Sequence, residues 1–270
     1  MKVSVVIPSF DGYRNGNLEL LKSDLMKQTL CPAEIITVVG VSPNGKARNY
    51  GVKKTTGDFL MFIDDDVRLG DTTVIQKLIA PFYLYKDIGM TGPSQLIPPD
   101  SNLFQRISAR QIPRSFFPIQ KELIDSDMVS HMCLVMPVEL FKEVGWENPE
   151  IISGTDPDLR YRVRKAGYRV CVAPECWAYH PVPKNLTELL KFAYLKGKNS
   201  AITQIQHPEF VYSLGDGINK SFQEKKTLLK RIFHALLNLT VNFFSFKIIF
   251  CIYRLSYSIG YLGTFLTKQK

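Results

Sequence analysis

The chain predicts an α/β protein, a doubly wound parallel sheet with a helical appendage at its C-terminal end. Three observations predict it. Apolar, β-branched runs alternate with segments of helical spacing through roughly the first seventy residues. The wholly apolar run Phe59 to Ile63 leads without a break into three acids, Asp64, Asp65 and Asp66. Near residue 216 the pattern changes to a basic stretch followed by an amphipathic one. With 270 residues, 45% apolar and 22% charged, the composition is that of an ordinary globular chain with room for a sizeable core.

Val3 to Ile7 reads as the first buried strand, broken by Pro8, and Ser9 to Gly16 as a loop of turn formers. Leu18, Leu21, Leu25 and Met26 recur at helical spacing. Ala33 to Val39 is a second strand, Gly40 to Gly45 a loop, and Ala47 to Lys54 a short helix with Arg48 and Asn49 near its start. Phe59 to Ile63 then reads as a strand buried on both faces. Ligands of open α/β sheets sit beyond the carboxyl ends of strands, so the three acids are aimed where a ligand would be. Three adjacent negative charges need solvent or a cation, and hard oxygen ligands suit magnesium or manganese. The competing reading is a solvated turn; the strand directly before the acids favours the site.

A helix is expected over Thr73 to Tyr85 and a strand at Met90 and Thr91. From Gly92 to Asp127 the pattern weakens, and five prolines and three arginines, Arg106, Arg110 and Arg114, dominate. Long irregular segments in compact domains are commonly functional, so acceptor binding is assigned there; a surface insertion is the alternative. Cys133 to Met136 is a strand, and Pro137 to Val144 a helix closed by Gly145. In Gly154 to Val170, Leu159, Val163 and Ala166 share a helical face, with Gly167 as the cap. Asp156 and Asp158 lie at its N-terminal end, where the helix dipole favours acids, and Asp158 reads as a cap. Arg169 to Val172 is the last strand, with His180 in the loop before Pro181.

Lys220, Lys225, Lys226, Lys230 and Arg231 form the basic stretch. Ile232 to Phe246, 15 residues, carries no charge, and Lys247 and Arg254 interrupt the apolar sequence beyond it, so no unbroken apolar span reaches the ~18 residues a membrane-crossing helix needs. His234, Asn238, Asn242 and Ser245 share one face, away from Leu236, Leu237, Phe243 and Phe244. That is a helix suited to lying on an anionic membrane surface; packing on the catalytic domain or in a dimer interface is the alternative, and a homo-oligomer stays open. The net charge of +9 sits near the tail and the middle loop without RNA-type aromatic motifs, so nucleic acid is not expected as a partner. Five scattered cysteines without metal spacing, and a first apolar run ending at Pro8, point to reduced thiols and a cytoplasmic chain without a signal peptide.

Four stretches, SVVIP from Ser4, KARNYG from Lys46, GDFLMFIDDD from Gly57, and GTDPDLRYR from Gly154 followed by AGY, occur in that order. On these the chain resembles a family 2 glycosyltransferase over roughly its first 200 residues. The resemblance implies the GT-A fold, a Rossmann-like mixed sheet, with residues 1–215 as the catalytic domain and 216–270 as the helical segment. It implies inverting transfer from a nucleotide-diphospho sugar with Mn2+ or Mg2+. Asp64 and Asp65 would face the nucleotide, with Pro8, Ser9, Lys46, Arg48 and Asn49 lining its pocket. Asp66, with Asp64 beside it, would hold the metal, and His180 matches a position where some members place a further ligand; a structural histidine is the other reading. Asp156 keeps the position of the family's base, while the acid usually before it is Thr155. Arg162 would meet acid groups or phosphate of the acceptor. The second strand ends in VVGVS, Val38 to Ser42, without the acid many members direct to the nucleobase. The implied acceptor is a hydroxyl of a glycan or glycolipid at the inner face of the cell membrane. A polyprenyl-phosphate acceptor, or a non-catalytic nucleotide-sugar-binding scaffold, are the alternatives.

Overall fold

The computed structural model describes residues 1–112, 114–206 and 228–268. Eight strands form one mixed sheet: β1 Val3–Ser9, β2 Glu34–Val39, β3 Phe59–Ile63, β4 Arg68–Leu69, β5 Ile88–Leu96, β6 Ile124–Asp125, β7 Cys133–Pro137 and β8 Arg169–Tyr179. The order is β2-β1-β3-β7-β5-β8-β4, with β6 paired to β8. The expected parallel sheet holds for β2-β1-β3. It is interrupted there, because β7 runs antiparallel between β3 and β5, and parallel pairing resumes between β5 and β8. The sheet is therefore mixed, as the GT-A resemblance implies.

Alternate residues of β1 and β3 feed two cores. On one face Val3, Val5, Ile7, Met61 and Ile63 pack against α1 (Asn17–Met26) and α3 (Val74–Leu84). On the other, Val6, Leu60 and Phe62 pack against α5 (Val138–Glu143) and α6 (Thr155–Lys165). Between β2 and β3 lies α2 (Asn44–Val52). Its Gly51 is pressed on β1: a Cβ there would collide with the Val6 side chain. That contact gives the last residue of KARNYG a physical reason.

Several boundaries differ from expectation. β1 continues through Pro8 to Ser9, since Pro8 lies beyond the last β1–β3 pair, where a missing N–H breaks no bond to β3. β8 runs 11 residues rather than ending at Val172. The segment read as irregular holds the end of β5, then α4 (Leu103–Gln111), opened by a reciprocal cap between Asn102 and Gln105. α7 (Leu186–Gln206) was not expected at all.

The C-terminal helices are α8 (Leu228–Phe244) and α9 (Ile248–Lys268). The 215/216 boundary and Lys220, Lys225 and Lys226 lie outside the described residues. α9 is clamped to α7 where glycines meet: a Cβ on Gly197 would strike the Tyr257 carbonyl, and one on Gly260 the Tyr194 carbonyl. Leu189, Ala193, Tyr253 and Ile112 fill the seam, and the Gln111 side chain accepts from the Ile249 backbone N–H at 2.9 Å. Residues Ile248–Thr267 of α9 are long and apolar enough to cross a membrane by length and composition, with Arg254 interrupting them.

Candidate active site

The triplet Asp64–Asp66 sits where expected, directly past the end of β3. Each acid meets a different partner. Arg48, buried on α2, places Nη2 3.0 Å from Asp64 Oδ1. The Ser9 hydroxyl, at the end of β1, donates to Asp65 Oδ2 at 2.6 Å. Arg14 Nη2 lies 2.5 Å from Asp66 Oδ2, and Arg14 Nε 3.5 Å from Asp65 Oδ1. Asp66 Oδ1 is buried, has no well-aligned hydrogen bond among the described residues, and forms an ion pair with His180 Nε2 at 3.4 Å. The Asn17 amide donates to the Asp65 and Val67 carbonyls and so fixes the turn.

Electrostatics separate the three. Burial raises the pKa of Asp64 and of Asp65, and their cationic and hydroxyl partners only partly offset it. Burial pushes Asp66 the same way, but His180 and Arg14 outweigh it and hold that carboxyl far below the usual range. Burial opposes charge on His180, yet Asp66 and Asp64 raise its pKa overall. The corner therefore contains one carboxylate held in its ionised form, whose Oδ1 meets His180 and has no well-aligned hydrogen bond among the described residues.

Asp156 lies in the first turn of α6, with 38% of its side chain exposed. Its Oδ1 accepts from the His131 backbone N–H at 2.6 Å and faces His131 Nδ1 at 2.7 Å. Its Oδ2 makes no hydrogen bond among the described residues. Burial would raise its pKa, but His131 and Arg160 carry it well below the carboxylate range. The other ring nitrogen of His131, Nε2, is 2.5 Å from Glu147 Oε1.

The two corners lie on the same edge of the sheet and are joined. Ile63 pairs with Cys133, so the antiparallel register carries the chain before β7 past the acids, and the Asp64 N–H donates to the Met132 carbonyl at 3.2 Å. α2 links them again. Arg48 reaches Asp64, while the next residue, Asn49, exchanges hydrogen bonds of 2.8 and 3.0 Å with the backbone of Glu147. Gly45 lets this helix approach closely, since a Cβ there would lie 2.9 Å from the Asn148 carbonyl.

A family model described as "Glycosyltransferase like family 2" matches residues 15–193. The chain belongs to this glycosyltransferase family. Three solved structures share its fold. A mannosyltransferase from Pyrobaculum calidifontis, in complex with GDP-Man and Mn2+, is 12% identical; the match covers 100% of this chain and 88% of that one, with a TM-score of 0.57. S. aureus TarS 1-349 is 13% identical over 100% and 91%, TM-score 0.51. GalNAc-T7 with UDP, GalNAc and Mn2+ is 16% identical over 80% and 52%, TM-score 0.52. Against a longer TarS chain the match spans 40% of that chain's length. No curated protein sequence matches.

Within the family 2 frame, the remaining expected residues fall in different places. Lys46 is exposed in the first turn of α2. Arg106 and Arg110 lie on α4 and, with Ile97, Pro98, Pro99, Ala109 and Phe116, line a hollow of about 250 Å³. The Arg106 guanidinium is engaged by the Ser101 and Pro99 carbonyls, both at 2.9 Å. Arg114 holds the Asp127 carbonyl and is among the charges facing Asp156. Arg162 is taken up elsewhere: it binds Asp158 through Nε at 3.0 Å and Nη2 at 2.7 Å, and the Val144 carbonyl at 2.5 Å. Asp158, read as a cap, is buried in that pair. Sequence reasoning passed over Arg14, His131 and Glu147. His131 leaves no local signal, because its place beside the acids depends on the direction of β7.

Proposed function

We propose that the chain is an inverting, divalent-metal-dependent glycosyltransferase that moves a sugar from a nucleotide-diphospho sugar to a hydroxyl of a glycan or glycolipid at the cytoplasmic membrane face. The observation that carries this reading is the pairing of the two carboxylate corners: the triplet and Asp156 on one sheet edge, tied together through Arg48 and Asn49. The donor set fits a divalent ion. Among the described residues no three metal-binding side chains converge, but such ions are commonly held by one or two carboxylates completed by substrate phosphates. Asp66 Oδ1, buried beside His180, with Asp64 next to it, offers that set. A bound Mn2+ or Mg2+ would supply Lewis-acid stabilisation of the diphosphate leaving group.

The chain's own groups do the rest. Ser9 and Asp65 orient the nucleoside, with Pro8, Lys46 and Arg48 lining the pocket. Asp156 takes the proton of the acceptor hydroxyl as that oxygen bonds to the anomeric carbon and the bond from carbon to diphosphate breaks. Asp156 favours a hydroxyl over a polyprenyl phosphate, which is already ionised, needs no base and would be repelled by a carboxylate. Arg110, in the α4 hollow, and Arg114, which holds the Asp127 carbonyl and faces Asp156, are the arginines assigned to an acceptor; Arg106 and Arg162 are occupied.

The membrane reading rests on α8. Leu236, Leu237, Val241, Phe243 and Phe244 point outward, while Asn238 and Asn242 are only half exposed. An apolar face turned away from the protein suits a lipid surface. Sedimentation with anionic vesicles should fall sharply in a Leu237→Glu, Phe244→Glu double variant. Unchanged sedimentation removes the idea, and conversion from dimer to monomer assigns the face to a dimer interface.

The function is tested by screening nucleotide-diphospho sugars for thermal stabilisation with and without Mn2+ or Mg2+, followed by transfer assays. Metal-dependent stabilisation by one donor is expected. If no donor stabilises the protein with either ion, the reading fails.

A further inference from the structure

His131 and Glu147 lie outside every motif that carries the family likeness. Both are almost wholly buried, at 2% and 1% exposure. His131 precedes β7, and Glu147 follows α5, held by Asn49 from α2. The imidazole is bracketed by carboxylates, with Asp156 Oδ1 2.7 Å from Nδ1 and Glu147 Oε1 2.5 Å from Nε2. A neutral imidazole has one N–H and can donate to only one of them; donation to both requires the imidazolium. Glu147 Oε2 is buried with no hydrogen bond among the described residues, so the His131 ring is the side chain that this buried carboxyl group faces.

We propose that Glu147 and His131 are positioning residues for Asp156, an assignment that rests on Asp156 being the base. Glu147 keeps His131 doubly protonated. His131 then directs two donors, its Nδ1–H and its backbone N–H, at the same oxygen, Oδ1. The carboxylate is pinned by one edge, and Oδ2 is left as the atom that accepts the acceptor's proton. The arrangement also keeps Asp156 ionised before the acceptor binds.

The charges around the pair agree with this. Burial and Arg48 of α2 oppose the charge on His131, but Glu147 and Asp156 outweigh them and its pKa is raised. Asp64, across the β3–β7 edge, adds a further negative charge facing His131. Asp156 in turn faces Arg160 of its own helix, Arg114, and Lys196 of α7. Among the described residues, His131 is the cationic group with hydrogen bonds to it.

Two measurements test the assignment. In long-range proton–nitrogen NMR spectra of histidine-labelled protein, His131 should remain an imidazolium above the ordinary histidine range, and should lose that proton at lower pH in Glu147→Gln. Ordinary titration near pH 6.5 in the unsubstituted protein overturns the proposal without any variant having to fold. In transfer assays, His131→Gln should lower kcat about ten- to hundredfold, the scale of a small misplacement of a reacting group. The KM for the donor should stay unchanged, and the acid limb of the pH profile should move to higher pH as Asp156 loses its cation. Transfer with an unmoved acid limb in both variants overturns the positioning role alone. An unsubstituted protein that transfers no sugar, with the imidazolium signal intact, overturns the base assignment instead.

Discussion

The acid triplet and Asp156 are two ways of holding a carboxylate against a buried cationic or polar group. At the triplet, three consecutive acids meet three partners, Arg48, Ser9 and Arg14, and the outermost, Arg14, is half exposed. At Asp156 one acid is gripped by a buried histidine that is itself gripped by a buried glutamate. The first corner can exchange a guanidinium for an incoming ion. The second has no exchangeable partner at Oδ1. A site that loads and releases a charged donor suits the first design, and a proton acceptor that must keep one orientation suits the second.

Substitutions can break or sharpen that contrast. Asp156→Asn should cut transfer by about 100- to 10,000-fold, the range for removing a general base, while donor affinity measured by calorimetry stays within a few-fold. Equal loss of binding and turnover would erase the division of labour. Asp66→Ala should abolish the metal-dependent part of donor stabilisation, about 2.7 kcal/mol with ligand at a hundred times its Kd, read in thermal melts with and without Mn2+. An undiminished melting shift would remove Asp66 as the ion's ligand. Arg162→Ala, which takes two charge-assisted hydrogen bonds from buried Asp158, should cost about 1–3 kcal/mol in urea unfolding and leave kcat near normal. A large fall in kcat at full stability would return Arg162 to the acceptor site. Arg14→Ala should tighten Mn2+ binding in the absence of donor by up to about fivefold, because a half-exposed ion pair that competes for Asp66 is worth at most about 1 kcal/mol; weaker binding would mean that Arg14 helps rather than competes.

The contrast also explains what the sequence disclosed. The triplet is contiguous and follows an apolar strand, so Asp64, Asp65 and Asp66 were readable from Phe59 onward. Ser9, Arg48 and Asn49 came with the resemblance and gather at the same edge. The Asp156 corner is assembled from residues 131, 147 and 156, and no short window contains its logic. Its key is the antiparallel run of β7, which apolar content does not reveal. The middle segment hid α4 because prolines masked a capping pattern that Asn102 and Gln105 spell out. α7 was missed because its buried face is built largely from small residues, Ala193, Gly197 and Ala201, which signal helix packing only once α9 is known to lie on them.

Consecutive residues of α2 reach in two directions, Arg48 toward the acids and Asn49 toward the Glu147 backbone. The helix is wedged on both sides by glycines that admit no side chain. It cannot rotate about its axis to suit one reactant without disturbing the seat of the other. In the proposed reaction, alignment of sugar and nucleophile would follow from this single rigid spacer, so a lesion in α2, unlike one in the 64–66 turn, would blur the stereochemical path at both ends together.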